Sequence, residues 1–312
     1  MQAVREIEPE MLRRYPNPTA DAFRAAAARV LGVTPDMILC GNGSDDILTI
    51  ATRTFVPPGG TLAYPDPTYS LYPVLARLED AKSAPVPWRT EWSLPADDLA
   101  ATRADAIYLA NPNAPSGTFV SPSQIASLAS QFSGLILVDE AYVDFAEDNC
   151  VSLVREFANV VVSRSLSKAY SMAGMRFGYA VAQPEVIEEM MKVKDSYNCD
   201  AISVAAATAA ILDQEYARQT WEQIRSERQR LTSELQQLGW SVLPSQANFI
   251  LASVPGGRGR DAYQKLKHQG ILVRYFDKPG LHDKIRVTIG RVEENNALLG
   301  GIRALAPSEK AA

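Results

Sequence analysis

The chain has 312 residues, 46% of them apolar and 21% charged, with a net charge of −5, which is enough for one large domain and a smaller one around sizeable cores. Its basic residues are scattered and outnumbered, which argues against a nucleic-acid partner, and its longest apolar stretches, such as Gly134–Val138, are far too short to span a bilayer. Three widely spaced cysteines and two histidines without Cys or His neighbours at ligand spacing argue against a disulfide framework and a metal site, and suit a reducing cytosol.

Met1–Arg14 alternates charged and apolar residues with no apolar centre, so it is not read as a signal peptide. Asp21–Leu31 is an alanine-rich helix that Gly32 closes. Met37–Cys40 is a short apolar strand leading into Gly41-Asn42-Gly43-Ser44-Asp45-Asp46 and a helical run through Phe55. Leu62–Tyr64 reads as a strand and Tyr69–Leu78 as a helix. Ala106–Ala110 and Leu135–Val138 are apolar strands, with a helix between them capped by Ser121 and started by Pro122. Val160–Val162 and Phe177–Val181 complete the set. Short, wholly apolar strands separated by helices predict an α/β fold with a mostly parallel sheet covered on both faces.

The pattern changes near Gln214. Gln214–Leu238 is a long polar helix ended by Gly239. Strands follow near Trp240–Leu243, Asn248–Ser253, Ile271–Phe276 and Lys284–Ile289, with helices at Asp261–His268 and Glu293–Ala304. The expected division is a large domain over 16–213 and a smaller α+β domain from 1–15 and 214–312, joined by the long helix. The tail Ser308–Ala312 is expected to fray.

The candidate chemistry gathers where predicted strands end, as it does in such folds. Just past Val160–Val162 comes Ser165-Leu-Ser-Lys-Ala-Tyr-Ser-Met-Ala-Gly-Met-Arg176. A desolvated lysine there, Lys168, becomes a nucleophile toward carbonyls. Arg176 offers a planar fork for a phosphate, and Ser165 and Ser167 offer hydroxyls. Carbonyl plus phosphate describes pyridoxal 5′-phosphate; an ordinary surface Lys and Arg is the plainer reading. Asp139 follows the strand Leu135–Val138 and is suited to hold a pyridine nitrogen protonated. Tyr142 stands ready to donate to the ring's 3-oxygen; a capping Asp and a packed Tyr would look the same. Gly41–Asp45 opens a helix whose free N–H groups, Ser44 among them, can face a phosphate. Tyr69 is a candidate to stack on a ring, though packing explains it equally well.

The segment around Lys168 resembles the cofactor-lysine motif S-L-S-K-A-x-x-x-A-G-x-R of the pyridoxal-phosphate aminotransferases of fold type I. Arg14-Tyr15-Pro16, Gly41–Asp45, Pro67-Thr68-Tyr69, Asn111–Gly117, Asp139–Tyr142, Asn248-Phe249, Ile271–Arg274 and Ile285–Gly290 continue the likeness, closest to the histidinol-phosphate aminotransferases. The resemblance implies that Lys168 bonds the cofactor and shuttles a proton, with Asp139 at the ring nitrogen and Tyr142 at the 3-oxygen. It implies that Ser44, Asp45, Ser165, Ser167 and Arg176 hold the phosphate, together with Tyr15 of a second subunit in a homodimer. Arg286 would take a substrate carboxylate and Arg274 the phosphate of histidinol phosphate; from the residues alone both could be surface charges. The implied reaction passes an amino group from that donor to the 2-oxo acid 2-oxoglutarate, in the cytoplasm. An aromatic aminotransferase, a threonine-phosphate decarboxylase and a silent cofactor-binding homologue are the competing activities. Two departures stand out. Ala114 replaces an asparagine that contacts the 3-oxygen, leaving Asn113 or Asn111 to compensate. Tyr15 also lies close to the start, where the family carries a longer arm that helps close the site.

Overall fold

The computed structural model describes Gln2–Leu305; the tail expected to fray lies outside the described residues. The strands β1 (Ile38–Gly41), β2 (Thr61–Asp66), β3 (Lys82–Pro87), β4 (Ala106–Ala110), β5 (Leu135–Asp139), β6 (Val160–Ser165) and β7 (Gly178–Val181) form one sheet, ordered β1-β7-β6-β5-β4-β2-β3. Every residue of β1, β4, β5, β6 and β7 is buried, as strands covered on both faces must be. β2 pairs parallel with β3 and β4, β4 with β5, and β5 with β6. Only β7 runs the other way, antiparallel to both β1 and β6. The register sets Ala110 beside Asp139 and Asp139 beside Ser163, so the carboxyl ends of β4, β5 and β6 finish together.

Several boundaries differ from the sequence reading. β3 went unpredicted because Pro85 and Pro87 interrupt it; as an outer strand it tolerates them. Helices Ala96–Ala101, Pro184–Val193 and Ala201–Leu212 were also missed. The predicted helix from Tyr69 begins only at Tyr72, with Pro73 in its first turn, which leaves Tyr69 on the preceding loop. The expected strand Ile271–Phe276 shrinks to two paired residues.

That pair is β10 (Arg274–Tyr275) in a second, antiparallel sheet with β8 (Ser241–Val242), β9 (Phe249–Ser253) and β11 (Lys284–Thr288), ordered β10-β11-β9-β8. Its apolar face meets Leu231 and Leu235 of helix Gln214–Gln237 and Leu298 and Ile302 of helix Val292–Arg303. The same long helix buries Ala217 and Trp221 near its start against Phe145 and Ala169 beside the large sheet. At 24 residues it is about 36 Å long, with one end in each core. The segment 1–15 does not follow the small domain as expected. Helix Gln2–Arg5 packs on Ala201–Leu212, and Tyr15 stacks on Tyr197, both on the side of the large sheet. No described helix is long and apolar enough to cross a membrane.

Candidate active site

A cavity of about 140 Å³ opens where β4, β5 and β6 end, lined by Ser44, Asp45, Tyr69, Ala114, Asp139, Tyr142, Ser165, Ser167, Lys168 and Arg176 among others. Sequence reasoning had singled out nearly all of these from strand ends and loops.

Asp139, the last residue of β5, is buried. Its Oδ2 accepts the hydroxyl of Tyr72 at 3.0 Å and its Oδ1 the N–H of Ala141 at 3.3 Å. Burial pushes its carboxyl up to about 6, against the pull of those two hydrogen bonds. No cation pairs with it among the described residues, so the site contains an acid whose charged form lacks a counter-ion. Tyr72 is the contact the sequence did not reveal. It is fully buried, wedged edge-on against Tyr69 and Tyr108, and nothing in the sequence separates it from an ordinary core tyrosine.

Lys168 sits on a turn that the backbone closes tightly. Leu166, fully buried, donates its N–H to Phe177 and accepts that of Met172, while Ser171 donates to the carbonyl of Lys168. The lysine remains open to the cavity, but surrounding protein lowers its pKa, and the charges of Arg286 and Arg176 add to this; Asp45 and Asp139 oppose it. Its Nζ lies 5.6 Å from the centre of the Tyr142 ring. Tyr142 packs edge-on against Phe249 of β9, and burial raises its own pKa, keeping the phenol protonated.

At the other end of the cavity, helix Ser44–Phe55 begins, with Gly43 at φ 90° ahead of it. A Cβ on Gly178 would collide with the Ser44 N–H, so only glycine lets β7 lie against this helix start. Arg176 itself adopts left-handed backbone, φ 50°. Its guanidinium donates to Ser167 Oγ at 3.2 Å and the Ala173 carbonyl at 3.1 Å, and lies 3.8 Å from Asp45. Tyr69 donates to Asp45 at 3.1 Å. Free N–H groups at a helix start, two hydroxyls and a guanidinium fork make an anion cradle.

Asn113 is not brought into the cavity. Its Oδ1 accepts the Thr68 hydroxyl, and its Nδ2 donates to Ser116 Oγ and the Pro67 carbonyl. Asn111 is likewise spent on the backbone of Val120. Both amides tie down the loop rather than compensate for Ala114, which packs with Ala247, Phe249 and Tyr142. Tyr15 is also away from the cavity, 82% exposed on Tyr197.

Arg286 lies near enough for its charge to act on Lys168 and Tyr142, with Arg274 as its strand neighbour; neither lines the cavity. They face each other across β10 and β11, and both guanidinium groups lie over Phe276, at 5.6 and 5.5 Å. Arg286 also covers Phe249 at 4.8 Å. An aromatic path therefore runs from Lys168 through Tyr142 and Phe249 to the two arginines. Neither arginine makes an ion pair or side-chain hydrogen bond among the described residues.

Residues 1–302 match the family Aminotransferase class I and II. Histidinol-phosphate aminotransferase 1 of Trichormus variabilis is 44% identical over 98% of this chain and 87% of its own length. The histidinol-phosphate aminotransferase of Rhodopirellula baltica is 45% identical over 96% and 83%. The crystal structure of histidinol-phosphate aminotransferase from Sinorhizobium meliloti in complex with pyridoxal-5′-phosphate superposes with a TM-score of 0.91 at 27% identity, covering 98% of this chain and 87% of that one.

Proposed function

Because the chain belongs to the aminotransferase class I and II family, we propose that it moves an amino group from histidinol phosphate to 2-oxoglutarate, with pyridoxal 5′-phosphate in the cavity around Lys168. The observation that carries the substrate class is the pair Arg274 and Arg286, opposed across two strands over one aromatic ring. Like charges in that relation repel, and an anion between or beside them relieves the repulsion. Two anionic ligands of different shape, one a dicarboxylate and one a phosphate ester, call for two such groups. The 44% identity to a histidinol-phosphate aminotransferase supports the same donor.

The residues present fit the cofactor. A buried carboxylate without a counter-ion suits a protonated ring nitrogen, and the cradle at Ser44, Ser165, Ser167 and Arg176 suits a phosphate. When bound, the cofactor supplies an aldehyde that exchanges amines and a ring that takes up the electron pair left at the substrate's α-carbon. Lys168, its pKa lowered by burial and by Arg286, spends more time with Nζ neutral, able to attack a carbonyl and to accept and return the α-proton. Asp139 holds a proton at the ring nitrogen, and Tyr142 donates from a phenol kept neutral by burial. Tyr69 and Ala114 bound the ring space. Arg286 grips the carboxylate and Arg274 the phosphate. In this reading the protein is a cytoplasmic homodimer whose exposed Tyr15 serves the neighbouring subunit's cradle. Residues 16–213 form its cofactor domain, and the small domain begins with the long helix at 214.

Borohydride reduction followed by peptide mass analysis tests the assignment. The cofactor mass should fall on Lys168; finding it on Lys192 or Lys194 refutes the site. Titration with histidinol phosphate and with phenylalanine tests the donor. A clear preference for the phosphorylated amine is expected, and an equal response would transfer the reading to an aromatic aminotransferase.

A further inference from the structure

Beside Asp139 and Ser165, which line the cavity, each strand end carries a side chain that turns to the opposite face. Glu140 follows Asp139, and Arg164 precedes Ser165. The two meet there: Arg164 donates from Nε to Glu140 Oε2 at 2.9 Å, and its Nη2 lies 2.8 Å from the same oxygen as an ion pair. Glu140 Oε1 accepts the backbone N–H of Cys150. Both residues are buried, and Asp144 approaches Arg164 at 4.0 Å. Arg225 of the long helix donates to the carbonyls of Asp144 and Ala146, which holds the same loop from outside. The mechanism uses none of these groups.

A buried ion pair contributes little net stability, because desolvation of both charges offsets their attraction, and an apolar pair of similar volume often serves as well. Its effect here is geometric. The fork binds the backbone one residue from Asp139 to the backbone one residue from Ser165, so the group at the ring nitrogen and a group of the phosphate cradle are held at a fixed spacing. A carboxylate that can neither slide nor rotate is what positioning a bound ring demands. We propose that Glu140 and Arg164 are a pair of positioning residues that set the distance between Asp139 and the phosphate cradle. The proposal rests on the cofactor reading given above.

The test is titration of cofactor-freed protein with pyridoxal 5′-phosphate, followed by absorbance, with thermal melting recorded in parallel. The double variant Glu140→Leu/Arg164→Met removes both buried charges and should melt close to wild type. It should nevertheless bind the cofactor about tenfold more weakly, the order of loss expected when residues supporting a binding group are removed. Glu140→Gln, which keeps the shape and can still accept from one of Arg164 and Cys150, should recover part of that affinity. If the double variant does not fold, Arg164→Lys replaces it, since a point charge keeps the ion pair without the fork, and the same weakening is expected. Affinity equal to wild type in a folded double variant, or in Arg164→Lys, overturns the proposal. A wild-type protein that does not take up the cofactor at Lys168 overturns the cofactor reading instead.

Discussion

The two ends of the candidate site are built differently. At the end of the large sheet the charged groups and the tyrosine around Lys168 already have partners: Asp139 with Tyr72, Arg176 with Ser167 and Asp45, Tyr69 with Asp45. Asp139 ends a strand that is buried and paired on both sides. At the small sheet, Arg274 sits on a two-residue strand at the sheet's edge, exposed, and Arg286 beside it rests on aromatic faces without a carboxylate. The first end is organised in advance, so its donors cost little to reorganise when a ligand arrives. The second keeps its hydrogen-bonding capacity unspent, as the proposed binding of two different anions in turn would require. Damage to the first end should therefore strike turnover, and damage to the second should strike the choice of substrate.

Lys168→Ala should show the largest effect: no measurable amino transfer in a protein with unchanged circular dichroism, because an open lysine contributes little to the core. Retained turnover would break the contrast at its root. Asp139→Asn should come next, slowing α-proton removal by two or more powers of ten, roughly 3 kcal/mol of barrier, read in single-turnover experiments. The same substitution should have the opposite sign in stability. With its folded pKa near 6 above the unfolded value, Asp139 favours the folded, cofactor-free protein at low pH. That contribution is lost as pH rises through about 6. Cofactor-free Asp139→Asn should therefore melt above wild type at pH 8, by up to about 3 kcal/mol, with the gap closing near pH 4. A gap that stays constant with pH would mean the carboxylate is not desolvated as described.

Arg274→Ala should weaken histidinol phosphate by about 2 kcal/mol, as for a charged hydrogen-bond partner, and cost far less for phenylalanine. Smallest and most selective, Arg286→Lys should slow the glutamate half-reaction while leaving the absorbance of the cofactor-loaded protein unchanged, since a point charge cannot reproduce a bidentate grip. An equal loss in both half-reactions would erase the division of labour between the arginines.

The large-sheet end was legible in the sequence because its chemistry is local. Lys168, Asp139 and Ser44 each stand at or just past the end of an apolar strand or at a helix start, with Arg176 on the turn that follows Lys168, and a strand's carboxyl end has one place to go in such a sheet. Asn113 was misjudged because a buried amide's partners, here Thr68 and Ser116, depend on how two loops meet, which spacing does not encode. Tyr72 was invisible for the same reason. The reversed direction of β7 left no trace either, since a strand buried on both faces has the same apolar composition whichever way it runs. The arginines of the small sheet were named only through family likeness: β10 is too short for any periodicity, and the alternation of β11 does not tell Arg286 from a solvent-facing charge.

The helix Gln214–Gln237 has a thermodynamic consequence. Near its start the Trp221 indole donates to the carbonyl of Ala169, the residue after Lys168, at 3.0 Å. Further along, Arg228 ties Phe145 to Ala247 through their carbonyls, and Leu231 and Leu235 lie in the other core. Melting the small sheet would strip the second half of this helix of its packing, and a helix that long in water does not stand on its own side chains. Fraying would then run back to the turn that carries the lysine. The two cores are thus coupled through one rod, and the free energy that holds the small sheet together also keeps the Lys168 amine in place.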